Sequence, residues 1–391
     1  MENKGVTSIS FLEKTSIVLL LISSFVTLNE RLNSVALYIL LPIAFASCFL
    51  VSKKLFINKY QKYLVILYVW IAFTAIFAYN HDLAIQQLHQ LVGCFVLAYI
   101  ISVLSLNKTL VKWLYVVYLL LLLFVWLYAY NNMSALMGFD ERMNDNKVNA
   151  NYFAYYTFYA TFSMYVLGEI IKNYSLRKFF RISFILMLPI SFITALFTAS
   201  RQILIIQLPL FVGLFYIRYI YRSNKKFYFV FIILIAALFL VPKVLNTYNG
   251  SLLSVRAETQ LEDDTRYRLL GEAISVGLQN PVLGVGPGNF ELFCSTGHFS
   301  HCSYTELFAN NGLFAAILYI ITLLSFIIFQ WKIFRRTKDK MSLAFLIFGC
   351  LFFIEQFFYV FYISQWLISF FILVTSHSII YNREIEADSI S

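Results

Sequence analysis

An imidazole and a pair of arginines stand in the one long polar stretch of a chain that is otherwise mostly hydrocarbon. The stretch runs from Asp263 to Gly312 and holds Arg266, Arg268, the run Asn280-Pro281-Val282-Leu283-Gly284-Val285-Gly286-Pro287-Gly288-Asn289-Phe290, and then Ser300-His301-Cys302-Ser303-Tyr304-Thr305-Glu306. Arginine suits an oligophosphate, because its planar fork donates two hydrogen bonds to phosphate oxygens and stays charged at any relevant pH. Histidine can take a proton near neutral pH, which is what an alcohol needs to become a nucleophile. Arg266 and Arg268 are two residues apart on a helical pattern and point in different directions, so one of them at most faces a given site. The plainer reading of both is solvated charge balanced by Glu262, Asp263 and Asp264.

A further arginine, Arg201, lies in Thr198-Ala199-Ser200-Arg201-Gln202 between two apolar runs. It either anchors a helix end at the headgroups or points into the helix bundle. The run Gly284-Val285-Gly286-Pro287-Gly288 fails as a nucleotide cradle, because no Lys-Ser/Thr pair follows and no parallel sheet is readable. It reads instead as a tight turn against which helices pack. Cys294 and Cys302 flank His298 and His301; they match no closed four-ligand zinc pattern, and a disulfide between them is the better-fitting alternative. Glu169, Glu355 and His377 fall inside apolar runs, where they read as internal hydrogen-bond partners more readily than as an ion path.

The elements that must position these groups are membrane helices. Hydrophobic residues make up 60% of the chain, charged residues 13%, and mean hydropathy is +0.75; soluble domains are roughly 45–50% apolar and about 25% charged. Apolar runs of the length that crosses about 30 Å of hydrocarbon recur near residues 14–28, 34–52, 62–79, 85–106, 109–129, 151–171, 180–199, 202–221, 227–245, 308–331, 342–361 and 364–381. The expected fold is therefore all-α, a polytopic membrane bundle of about twelve transmembrane helices. The organisation expected is residues 1–245 for the first nine spans, 246–304 for one large external loop, 305–381 for the last three spans and 382–391 for a cytoplasmic tail.

The net charge of +10 would suit nucleic acid, but its placement argues against that partner. Lys53, Lys54, Lys59 and Lys62, then Lys172, Arg177, Lys178 and Arg181, then Arg218, Arg222, Lys225 and Lys226, then Lys332, Arg335, Arg336, Lys338 and Lys340 all fall in even-numbered connections. The positive-inside rule then puts both termini in the cytoplasm and the long loops outside. Within the large loop, Leu269, Leu270, Ala273, Ile274 and Leu278 share one side of a helix predicted over 265–278, an amphipathic pattern suited to a membrane face.

In ordered combination, Ser200-Arg201 after the seventh span, Arg266 fifteen residues before Pro281, the Pro281–Phe290 segment and His301 eleven residues before Gly312 resemble the bacterial O-antigen polymerase and O-antigen ligase superfamily. The resemblance covers most of the chain. It implies a GT-C-like glycosyltransferase of the bacterial inner membrane, working at the periplasmic face on an undecaprenyl-diphosphate-linked oligosaccharide, with membrane lipid around it and no cofactor, metal or nucleotide. By position, Arg201 and Arg266 would hold the diphosphate and His301 would activate the acceptor hydroxyl. Arg142, with Asn149 and Asn151 after it, would help to line the cavity, and Arg268 and Tyr304 are further candidates. Cys302, Ala315 and Asn310 depart from the ligase pattern and, with Tyr304-Thr305-Glu306-Leu307, favour a polymerase, for which a chain-length regulator protein is an implied partner. A ligase that transfers glycan to lipid A core and a polysaccharide transporter are the alternatives.

Overall fold

The structure, a computed structural model, describes residues 10–26, 35–52, 57–131, 150–198, 203–223 and 265–388. Among them every regular element is helical and no strand occurs, so the protein is an all-α integral membrane protein. In chain order the α-helices are α1 (Phe11–Val26), α2 (Leu41–Ser52), α3 (Lys59–Thr74), α4 (His81–Ser105), α5 (Lys108–Asn131), α6 (Ala150–Ile170), α7 (Tyr174–Thr198), α8 (Leu208–Phe215), α9 (Thr265–Gln279), α10 (Ser303–Thr337), α11 (Lys340–Glu355) and α12 (Gln365–Asp388). Five helical segments among the described residues are long and apolar enough to cross a membrane. Eleven of the twelve expected spans coincide with helix; the ninth, 227–245, lies outside the described residues.

The chain divides into two compact units. One comprises residues 1–117, 261–333 and 352–391, the other 118–260 and 334–351. In the first, α12 packs on α4 and α1 on α2. Helix starts there carry side-chain caps, which satisfy amide groups that have no partner within the helix. Asn58 accepts from the Gln61 amide ahead of α3 while its Nδ2 donates to Ser376 Oγ at 2.8 Å, tying that cap to α12. Asn80 accepts from the Asp82 and Leu83 amides at the start of α4. The apolar core stacks Phe352 on Phe371 with centroids 5.1 Å apart, and Tyr60 meets Phe326 edge-on at 5.4 Å. Leu313, Ile317, Ile321 and Ile328 form an exposed stripe along α10, the pattern of a helix side that meets lipid.

In the second unit, α7 packs along α6. Glu169 joins Arg218 at 2.9 Å and Arg181 at 3.5 Å, and Arg218 is capped on either side by the rings of Tyr165 and Phe184. Arg218, grouped by sequence with the basic residues after the eighth span, is nearly fully buried and paired. Its neighbours compensate the charge: a carboxylate, the carbonyl of Tyr165 and two aromatic faces. Glu169 is an internal partner as expected. So is His377 in the first unit, whose Nδ1 lies 3.0 Å from Tyr115 Oη. Glu355 differs: it is buried, and among the described residues its Oε2 has no hydrogen-bond partner.

Two expected spans are interrupted. α10 breaks at Gly312, whose φ of 80° and ψ of 176° are not helical, leaving a short segment before it and a long one after it. α11 ends at Glu355 instead of continuing to 361, and residues 356–364 are irregular. The first break is held by the 281–286 loop, where Leu313 N donates to Pro281 O, and the irregular segment after α11 supplies the backbone partners of Ser303, two residues after His301.

Candidate functional site

The Gly-rich segment after α9 holds the polar stretch together. Its amides cap the end of the short helical segment before Gly312: Val285 N donates to Ala309 O at 2.9 Å and Gly286 N to Asn310 O at 2.8 Å. Beyond the break, Leu313 N donates back to Pro281 O at 2.8 Å. The two segments of this exchange are so close that a β-carbon on Gly284 would collide with the Asn310 backbone and one on Gly312 with the Val282 carbonyl. Both glycines also have left-handed φ, which other residues adopt only with strain. The opposite side of the same loop meets the connection between α3 and α4, where Tyr79 N donates to Val285 O and Asn80 N to Asn289 Oδ1. The loop is the tight turn expected of it, and it fastens three parts of the unit together.

A small apolar core completes the fastening. Leu269, Ala273 and Val276 from α9 pack with Val285, Phe290 and Ala309. Each fully buried Leu or Phe contributes about 1.5–3 kcal/mol. α9 forms where predicted, but the side it buries differs from the expected one. Leu269 and Ala273 turn inward with Val276 and Gly277, whereas Ile274 and Leu278 face outward with Tyr267. A helix with two apolar stripes cannot announce which of them will meet protein; Gly277, where a side chain would strike the Phe308 ring, decides it here.

Arg266 and Arg268 leave α9 differently. Arg266 is half-buried and shares the inward side with Leu269 and Ala273, one and two turns on. Arg268 is exposed, its Nε 3.9 Å from Glu272 Oε1. Glu272 in turn accepts from the Ser295 amide at 2.9 Å, and that hydrogen bond is the main reason its carboxyl lies below the usual range. Arg268 therefore belongs to a surface latch between α9 and the 293–297 turn.

His301 sits two residues before α10 with a left-handed φ of 58°, one of two described non-glycine residues with positive φ. Its ring lies against Phe299, centroids 4.3 Å apart, and Phe299 meets Tyr359 edge-on at 5.7 Å. Ser303 sews this corner to the irregular segment after α11. Its amide donates to Gln356 O at 2.8 Å, its Oγ lies 3.0 Å from Gln356 Oε1, and that Oγ accepts from the Phe361 amide at 2.9 Å. Tyr319 Oη donates to the same Gln356 Oε1 at 2.7 Å. Tyr304 is committed elsewhere: its hydroxyl donates to Phe353 O at 2.8 Å and its ring is packed among Tyr319, Phe353 and Phe357.

Cys294 and Cys302 are free thiols, which answers the disulfide question that the sequence left open. Cys302 is buried, and desolvation pushes its thiol up from the ordinary value; Cys294 instead donates to the carbonyls of Glu291 and His298. Among the described residues no three His, Cys, Asp or Glu side chains gather as a metal site would need.

The structure thus brings Arg266, Arg268, His301 and Tyr304 into one unit, with α9 and the segment before α10 held by the same glycine loop. Arg201 and Arg142 lie outside the described residues. Glu306, which the sequence placed in a motif without giving it a role, is buried within the segment before Gly312, and its Oε1 accepts from Asn310 Nδ2 at 2.8 Å. A carboxylate and an amide four apart in an apolar run were the available signal.

An all-helical membrane protein with an interrupted helix beside a left-handed histidine is the class this geometry defines. Residues 182–320 match a family model described as O-Antigen ligase, a span that contains Arg201, Arg266, His301 and Gly312. The match bears out the resemblance to the O-antigen polymerase and ligase superfamily. No curated protein matches the chain.

Proposed function

We propose that this chain is a glycosyltransferase of the bacterial inner membrane that joins undecaprenyl-diphosphate-linked repeat units at the periplasmic face, with both termini in the cytoplasm. The observation that carries the reading is the O-antigen ligase family match over the segment holding both arginines and His301. The left-handed backbone of His301 supports it, since strained residues persist where surrounding structure holds them and cluster at functional sites.

A glycosyl diphosphate already carries a good leaving group, so what the protein must add is charge stabilisation and a base. In this reading Arg201 and Arg266 pair with the diphosphate and stabilise the charge that grows on it as the anomeric C–O bond breaks. The His301 imidazole takes the proton from the acceptor hydroxyl, whose oxygen forms the new bond from the opposite side of the ring, and the configuration inverts. Arg142 would line the cavity; Arg268 and Tyr304, given their present partners, contribute to the frame. The undecaprenyl tail would lie in lipid, and a chain-length regulator would act on the same protein.

The acceptor separates the two readings within the family. A second lipid-linked repeat unit makes the protein a polymerase, the reading favoured by Cys302, Asn310 and Ala315; lipid A core makes it a ligase, the word in the family description. Deletion of the gene from its host distinguishes them on a lipopolysaccharide gel: one repeat unit left on the core identifies a polymerase, and none identifies a ligase. Retention of the full ladder would contradict both. A purified protein that lengthens a lipid-linked oligosaccharide in detergent excludes transport.

A further inference from the structure

We propose that Glu306 is a positioning residue that holds His301 in its working conformation, an inference that rests on His301 being the base. A non-glycine residue at φ 58° keeps that shape only when the backbone on either side of it is fixed. On the preceding side the Ser300 amide donates to Glu306 Oε2 at 2.6 Å. On the following side Ser300 Oγ donates to Cys302 O at 3.1 Å and accepts from Thr305 Oγ1 at 3.2 Å. Ser300 thus brackets the histidine, and Glu306 fixes Ser300.

The carboxylate is itself anchored. Its second oxygen accepts from Asn310 Nδ2, and Asn310 Oδ1 accepts from the Phe290 amide at 2.7 Å, so the chain of bonds runs from the glycine loop through Asn310 and Glu306 to the backbone beside His301. Glu306 is only 3% exposed. Burying a carboxylate is costly, and hydrogen bonds to its charge are stronger than those to a neutral group. An apolar residue would fill the space at less cost, but it would leave the Ser300 amide without an acceptor. Asn310 fits the same account: an acid there, four residues after Glu306, would repel it, whereas the amide donates to it.

The test compares Glu306→Ala, Glu306→Asp and Glu306→Gln in detergent-purified full-length protein. The rate at which diethyl pyrocarbonate modifies His301, mapped by peptide mass with His298 as internal reference, reads the histidine's placement without any substrate. Turnover on a lipid-linked oligosaccharide reads its consequence. Glu306→Ala and Glu306→Asp should change the His301/His298 modification ratio severalfold and lower kcat roughly tenfold to a hundredfold with KM nearly constant, as a displacement of about 1 Å does. Glu306→Gln, which keeps an acceptor for Ser300, should recover most of the wild-type ratio. If Glu306→Ala fails to fold, Glu306→Asp carries the comparison. A folded Ala or Asp variant with the wild-type ratio and kcat overturns the inference. A wild-type protein without transferase activity would instead remove the proposed function, while the modification ratio would still decide whether Glu306 positions His301.

Discussion

Gly312 lies backbone to backbone against Val282, so close that a β-carbon on the glycine would collide with the valine carbonyl. Its φ of 80° adds a conformational cost for any other residue. Gly312→Ala should therefore cost about 3 kcal/mol or more, strain and displacement together. Gly297 has a similar φ of 68° but open space around it, so Gly297→Ala should cost only about 1–2 kcal/mol. Melting temperatures in detergent check both, and equal losses would show that the Gly312 contact does not matter.

Gly271 is the opposite case. It lies within α9 with nothing near the position of its missing β-carbon. Gly271→Ala should stabilise the protein by about 0.5–1 kcal/mol through helix propensity alone, visible as a raised melting temperature.

The thiols make a chemical prediction. Buried Cys302, its thiol pushed up by desolvation, should resist alkylation by a maleimide until the protein is denatured, whereas half-buried Cys294 should react first. Peptide mapping under non-reducing conditions should show no link between them. A linked peptide from freshly prepared protein would contradict the structure.

The latch from Glu272 to the Ser295 amide should be sensitive to acid. Because the carboxyl in the folded state titrates below its ordinary value of 4.5, the stability it supplies is complete above that pH and is lost as pH falls through the lower folded value. Hydrogen exchange of the Ser295 amide, corrected for its intrinsic rate, should accelerate in that window, and in Glu272→Gln the acceleration should disappear. An unchanged pH profile in the variant would rule out Glu272 as the cause.

Much of this all-helical architecture was legible in residue order, because hydrocarbon thickness dictates the length of an apolar run. The Pro281–Phe290 turn was legible too, since glycine adopts the positive φ at 284, 286 and 288 without strain. What stayed hidden depends on tertiary partners. The Phe-rich run after Glu355 carries no proline or glycine to end a helix, and its irregular path is held by Ser303 and Gln356. The inward side of α9 was misread because both of its apolar stripes obey the same period, and the role of Glu306 stayed hidden because one of its partners is the backbone amide of Ser300.

The central claim is that His301 is the base of a glycosyl transfer, with Arg266 on the diphosphate. The most direct measurement is elongation of a purified undecaprenyl-diphosphate-linked repeat unit by wild-type protein and by His301→Ala and Arg266→Ala variants of equal melting temperature. A general base contributes about 10²–10⁴-fold, so His301→Ala should fall by at least about a hundredfold. Loss of a charge-stabilising arginine should cost about 10²–10³-fold in kcat. Product chains of wild-type length and rate from His301→Ala would contradict the account.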